Sequence, residues 1–217
     1  MRWGLRGLLA LLVLMVFAIG LFAIVNPPTT PYILSESRRL GGVDHQWVNF
    51  DEIAPVMARS VVAAEDANYC LHWGFDMAEI RRALDAGGRR GASTISQQVV
   101  KNVYLWPGRS WPRKALEAVM TPMLEALWTK RRILEVYLNV AEFGEGVFGV
   151  EAAARTYFRV APDRLSATQA ARLAAVLPDP KRRSARKPSR FVAKRARSIA
   201  DGAATIAVDG RAACFED

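Results

Sequence analysis

The chain has 217 residues, enough for one domain of ordinary size and an appendage. It carries 30 Lys and Arg against 21 Asp and Glu, a net charge of +9, which points to a polyanionic partner: nucleic acid, an anionic membrane surface or a phosphorylated substrate. The two cysteines, Cys70 and Cys214, form no C-x-x-C unit, which argues against a zinc site and a dense disulfide framework.

At the N-terminus, Arg2 and Arg6 precede an uninterrupted apolar run from Leu8 to Val25, 18 residues that approach the ~20 needed to cross a bilayer core. A cleaved signal peptide would have a shorter apolar region and a small-x-small exit; here AIVNPP leads into a proline-rich spacer. The run predicts an uncleaved single-pass anchor over residues 1–26, with the arginines holding the N-terminus in the cytoplasm. A buried core helix is the alternative. Residues 27–44 read as a linker, and everything beyond is exported, which argues against nucleic acid as the partner.

Further on, Ile53, Val56, Met57, Val61 and Ala64 recur at helical spacing. Asp76 with Glu79 opens a short helix that stops at Gly87-Gly88, and Thr94 with Gln97 opens the next. Pro112 suits the first turn of a helix through ALEAVMTPMLEALW, bent at Pro122. Thr129 or Lys130 begins RRILEVYLNV. Ser166 with Gln169 caps TQAARLAAVL, which Pro178 ends. No alternating strand exceeds four residues, so residues 45–180 form a mainly α domain. Residues 181–217 form a basic C-terminal segment with a helix across SRFVAKRARSIADGAATIAV.

Two attractive patterns fail on context. GEGVFG (Gly144 to Gly149) fits a dinucleotide fingerprint but follows a helix instead of a strand. SARK (Ser184 to Lys187) fits S-x-x-K, but no K-T-G follows it. Two other stretches carry more chemistry. In VVAAEDANYCLHWG an apolar approach ends in adjacent carboxylates, Glu65 and Asp66, with Tyr69, His72 and Gly74 close behind. In GASTISQQVVKN, helical spacing puts Gln97 and Lys101 on one face, with Gln98 and Asn102 beside them. That donor-rich stripe suits sugar hydroxyls and a phosphate; an ordinary amphipathic helix fits it equally well.

Taken in order, the motifs resemble those of the peptidoglycan glycosyltransferases, specifically the monofunctional biosynthetic transglycosylases. EDANYCLHWG is similar to that family's E-D-x-x-F-x-x-H-x-G, with Tyr69 in place of the usual phenylalanine. GASTISQQVVKN is similar to G-x-S-T-x-x-Q-Q, and RKALE (Arg113 to Glu117) to R-K-x-x-E. KRRILEVYLN and LSATQAARLAAVLPDP complete the series, over about residues 45 to 180. The resemblance implies a lysozyme-like helical glycosyltransferase domain preceded by one transmembrane helix in the bacterial inner membrane, with the catalytic domain periplasmic. Nothing past Pro188 has room for a transpeptidase domain.

The chemistry it implies joins the 4-hydroxyl of N-acetylglucosamine on lipid II to the anomeric carbon of a lipid-linked glycan, with inversion and loss of undecaprenyl diphosphate. A sugar hydroxyl needs a base; the resemblance makes that base Glu65, and burial behind Val61 to Ala64 is a reason for a raised pKa. Glu117 is the second functional carboxylate implied, with a plain salt bridge to Arg113 as the alternative. Arg82, Lys101 and Arg109 are implied contacts to substrate or diphosphate. Ser93, Thr94, Gln97, Gln98, Asn102, Arg113 and Lys114 complete the implied binding set, Ser93 and Thr94 through helix capping if not directly. Asp66, Tyr69, His72 and Gly74 are supporting residues. No cofactor is required; a divalent cation, Mg or Mn, at the diphosphate is the one candidate.

The expected partners are lipid II and the growing glycan, the bilayer, and other cell-wall synthesis or division proteins. Trp106 and Trp111 flank Arg109 and suit either a headgroup layer or the core. From Lys181 to Arg197 stand nine basic residues and no acid, each worth on the order of 1 kcal/mol at an anionic surface; a solvated tail is the alternative. An oxidising compartment allows a disulfide between Cys70 and Cys214; two free thiols are the alternative, and Cα atoms within about 7 Å decide between them. The rival activities are a lytic transglycosylase or lysozyme-like hydrolase, which has no diphosphate to accommodate, and a membrane scaffold without activity.

Overall fold

The computed structural model describes residues 2–87, 91–108 and 110–216, the side chains of residues 2, 3, 5 and 8 excepted. Helix α1 spans Arg2–Ile24. Its described apolar side chains begin at Leu9, leaving 16 residues to Ile24. Among the described residues no helix is long and apolar enough to cross a membrane. The far half of α1 is no free tether. Ile19 is fully buried and Met15, Phe22 and Ala23 pack on the core. Trp128 Nε1 donates to the Ile19 carbonyl at 2.8 Å, and Arg132 donates to the carbonyls of Phe22 and Val25 at 3.1 Å. The Phe22 carbonyl is in the last turn of α1 and that of Val25 lies just beyond it, so a guanidinium there meets an orphan carbonyl and the negative end of the helix dipole together.

The segment expected to be a linker folds. Thr30 accepts from the Ile33 amide at 3.1 Å and opens α2, Pro31–Leu40, which ends on Gly41 in the left-handed region. Reading the prolines as spacer overlooked that Pro is favoured in the first helical turn behind a Thr cap. Ile33 anchors α2 in the core, Tyr32 donates to Glu142 at 2.5 Å, and Glu36 pairs with Lys181 at 2.8 Å.

The domain is built on α3 (Pro55–Glu65), α4 (Met77–Asp85), α5 (Ile95–Tyr104), α6 (Trp111–Leu127), α7 (Lys130–Val140), α8 (Gly149–Phe158), α9 (Ala167–Val176) and α10 (Arg190–Ile206). The capping residues read from the sequence work as expected: Asp76 accepts from the Ala78 and Glu79 amides, Thr129 caps α7, and Thr94–Gln97 and Ser166–Gln169 form capping boxes. Helix α5 lies between α6 and α7, burying Ile95, Val99, Val100 and Val103. Helix α6 runs through Pro122 without interruption.

Helices α3, α9 and α10 form a second packed group. Here α10 buries Val192, Ala196, Ile199, Ala203 and Ile206. The basic C-terminal segment is therefore partly a core element and not a solvated tail.

Strands β1 (Asp44–His45), β2 (Glu142–Gly144) and β3 (Val147–Phe148) make a small sheet in the order β1-β3-β2, with Asp44 in parallel register against Val147. GEGVFG belongs to this β2–β3 hairpin and the start of α8. Gly149 has φ +81°, and a Cβ there would lie 2.8 Å from the Asn139 carbonyl oxygen. The pattern is a packing device, as its context suggested.

The short helix α11 (Ala213–Glu216) returns to the start of the domain. Cys70 and Cys214 are disulfide-bonded with Cα atoms 5.6 Å apart. Phe215 is buried against Tyr69, Arg131 donates to the Phe215 carbonyl at 3.0 Å, and Glu216 pairs with Arg59 at 2.9 Å.

Candidate active site

Glu65 is the last residue of α3, and Val61 and Val62 before it are fully buried. Its Oε2 accepts from Gln98 Nε2 at 3.1 Å, and Gln98 Oε1 accepts in turn from the buried Tyr137 hydroxyl at 3.2 Å. Arg195 Nη2 stands 3.6 Å from Oε1, beyond hydrogen-bond reach. Among the described residues Oε1 has no hydrogen-bond partner although it is buried. Burial raises the Glu65 pKa above the ordinary carboxylate value; Gln98, Arg195 and Lys101 oppose that rise, and Asp66 adds to it.

The adjacent Asp66 does different work. It accepts from His72 Nε2 at 2.8 Å and from the Ile95 amide at 3.0 Å, joining the loop after α3 to the start of α5. Asp66 and His72 were expected as supporting residues, and these bonds are the contacts they make. Tyr69 is buried and donates to the Lys130 carbonyl at 2.8 Å, a bond the usual phenylalanine lacks. Gly74 has φ +83°, and a Cβ there would meet Thr121 Cγ2 at 2.8 Å; its carbonyl accepts from Thr94 Oγ1 at 2.6 Å.

Across α5 lies a second carboxylate. Glu117 is buried, with Arg113 Nη1 at 3.3 Å, Lys114 paired to Oε1 and Gln97 Nε2 at 3.4 Å. The Arg113–Glu117 salt bridge is present, within a larger cluster that adds Lys114 and Gln97. Lys114 reaches Ser93 Oγ at 3.5 Å. Lys101 stands between the two carboxylates: burial lowers its pKa, while Glu117 and Glu65 both pull it up.

Three clefts meet here. One of about 510 Å³ is lined by Ser93, Lys101, Arg113, Lys114 and Glu117. A second, about 380 Å³, shares Lys101 and Arg113 and adds Gln98, Asn102 and Tyr137. A third, about 220 Å³, holds Glu65 with Ser93 and Thr94.

The carboxylates of Glu117, Asp66 and Asp76 already carry protein partners. Both oxygens of Glu117 face Arg113, Lys114 or Gln97. Asp66, His72 and Asp76 approach within 4.8 Å of one another. Yet every oxygen of that pair of aspartates already accepts a hydrogen bond, from His72, Ile95, Asn68, Ala78 or Glu79.

Not every expected residue reaches the clefts. Arg82 is exposed on α4 and pairs with Glu79 at 2.9 Å, outside all three. Arg109 lies outside the described residues. Trp106 lines the second cleft, whereas Trp111 is 89% exposed at the rim of the first. Tyr137 and Arg195 were missed. The phenol of Tyr137 sits within an apolar helix pattern, and Arg195 was one of nine basic residues with nothing in their spacing to single it out.

Residues 34–204 match the model of the family described as Transglycosylase. The chain belongs to the transglycosylase family. The matched span exceeds the expected 45–180 at both ends and takes in most of α2 and α10. Three relatives bear the name biosynthetic peptidoglycan transglycosylase. That of Jannaschia sp. (strain CCS1) is 62% identical, covering 99% of this chain and 90% of the relative. That of Caulobacter vibrioides is 45% identical over 92% and 89% of the two chains. That of Yersinia pestis (strain Pestoides F) is 49% identical over 89% and 85%.

Proposed function

We propose that this transglycosylase is a peptidoglycan glycan polymerase, transferring a lipid-linked glycan to the 4-hydroxyl of N-acetylglucosamine in lipid II. The relatives' shared name supports the substrate class. The observation that carries the reading is the pairing of Glu65, whose buried Oε1 is open, with a cation-rich cleft across Lys101 at Arg113 and Lys114.

Glu65 takes the hydroxyl proton as the new bond forms from O4 to the anomeric carbon. The bond from that carbon to the diphosphate breaks on the opposite face, and configuration inverts. Negative charge grows on the departing undecaprenyl diphosphate, where Lys101, Arg113 and Lys114 line the cleft that receives it; the motif resemblance assigns Arg109 to the same role. A hydrolase of the same glycan has no diphosphate to accommodate, so this charge favours synthesis. No step is assigned to a divalent ion. The lysozyme-like fold implied by the motifs belongs to the same reading.

Membrane anchoring through α1 is part of the proposal. Its support is the sequence run from Leu8 to Val25, the 23-residue helix, and the exposed Leu9, Leu11, Val13, Leu14, Phe17 and Leu21. A helix of that length spans about 34 Å, against a hydrocarbon core of about 30 Å. The N-terminus is cytoplasmic and the catalytic domain periplasmic, beside both polyprenyl substrates and within reach of other wall-building proteins.

Purified full chain with labelled lipid II in a bilayer mimic is the test. Glycan polymer and undecaprenyl diphosphate are expected; cleavage of preformed glycan without polymerisation would overturn the proposal.

A further inference from the structure

We propose that Arg195, on α10, is a positioning residue for Glu65: it orients Oε1 toward the reacting hydroxyl while Gln98 holds Oε2. This rests on the role proposed above for Glu65.

Arg195 is carried to the site by the core. Helix α10 buries Val192, Ala196 and Ile199 and packs on α3 and α9. The preceding position, Arg195, falls at the edge of that apolar stripe, and its side chain is 32% exposed. Its Nη2 donates to the Ala64 carbonyl at 3.1 Å and stands 3.6 Å from Glu65 Oε1. One guanidinium therefore spans the end of α3, holding a terminal carbonyl and the carboxylate that follows it. A cation at a helix C-terminus is favoured by the dipole as well as by the orphan carbonyl.

The spacing matters as much as the sign. A bidentate guanidinium at contact distance would occupy the carboxylate and weaken it as a base. Here the 3.6 Å gap leaves Oε1 without a hydrogen-bond partner among the described residues, and Arg195 Nε is likewise buried and unpartnered. The carboxylate is steered without being consumed. An acceptor hydroxyl at Oε1 would complete it, donating at the ~2.6–3.2 Å that general-base transfer requires.

Glu65 is faced by Asp66 from its own C-cap, Gln98 and Lys101 from α5, Tyr137 from α7 and Arg195 from α10. Without Arg195, burial and Asp66 are less opposed. The carboxylate then holds its proton to higher pH.

The experiment compares Arg195→Ala, Arg195→Lys and Glu65→Gln in the full chain, measuring lipid II polymerisation against pH together with the melting temperature. Arg195→Ala is expected to lower kcat roughly tenfold to a hundredfold, the range for a misplaced catalytic group, with KM little changed. Its acid limb should move to higher pH, and Arg195→Lys should restore most of that shift. An alanine variant with an unmoved acid limb overturns the inference, whether its rate is intact or falls only in step with stability. If Glu65→Gln is inactive in that case, the reading of Glu65 survives and only Arg195 loses its role. A polymerising Glu65→Gln would overturn both.

Discussion

Glu65 and Glu117 lie on either side of α5, the first partly and the second fully buried, and share one neighbour in Lys101. Their surroundings are otherwise opposite. Glu65 has one amide donor, a guanidinium held just out of reach and an oxygen left open. Glu117 is enclosed by Arg113, Lys114 and Gln97. The first is a carboxylate kept hungry for a proton; the second is an anion used to gather cations. Burial alone does not determine what an acid does. The number of donors already committed to it does.

The sharpest way to break this contrast is the same isosteric change at both sites. Glu65→Gln should cut polymerisation by ~10²–10⁴-fold, the usual contribution of a general base. It should also stabilise the fold at neutral pH. A carboxyl whose folded pKa is raised contributes stability below its unfolded pKa and loses that contribution as pH rises through the folded value. An amide there is spared the loss. A melting curve at neutral pH and another below the carboxylate range check the sign: the variant's advantage should appear in the first and vanish in the second.

Glu117→Gln should move stability the other way. It strands the buried Arg113 beside Lys114, and removing one partner of a buried pair costs up to roughly 3–5 kcal/mol. Denaturant melts of the two variants side by side would therefore shift in opposite directions at neutral pH. Equal shifts would erase the distinction drawn here.

Lys101→Ala tests the residue common to both. A charged contact to a phosphate is worth roughly 1.5–3 kcal/mol, so turnover and affinity for a diphosphate analogue should fall accordingly. Its melting temperature should change little, in contrast with Glu117→Gln.

The smallest effect is on pH. Since burial raises the Glu65 pKa, the acid limb of kcat/KM should lie above the ~4.3 of an unperturbed glutamate. A limb at or below that value would mean the carboxylate is not desolvated in solution.

Much of this site was legible because its motifs are local. Thr94 with Gln97 opens α5 and thereby presents Gln98 and Lys101; Asp76 opens α4 by accepting from the Ala78 and Glu79 amides. Capping depends on residues three apart, which a sequence displays. What stayed hidden depends on long-range packing. Arg195 meets Glu65 across 130 positions because α10 buries its apolar stripe on α3, and only the fold distinguishes it from the basic residues around it. Tyr137 reaches Gln98 in the same way, through α7 packing on α5. The docking of α1 by Trp128 and Arg132 rests on backbone carbonyls, which every residue has and no composition reveals.

The disulfide between Cys70 and Cys214 has a bearing on how the molecule is made. The two residues are 144 positions apart, so the loop behind Glu65 leaves the ribosome long before its partner. During that interval Cys70 has no second thiol in its own chain with which to pair. The chain can therefore form just one intramolecular disulfide, and its maturation calls for an oxidant but for no reshuffling of bonds. The covalent brace behind the loop after Glu65 is thus among the last parts to be set, after the helices it joins have been synthesised.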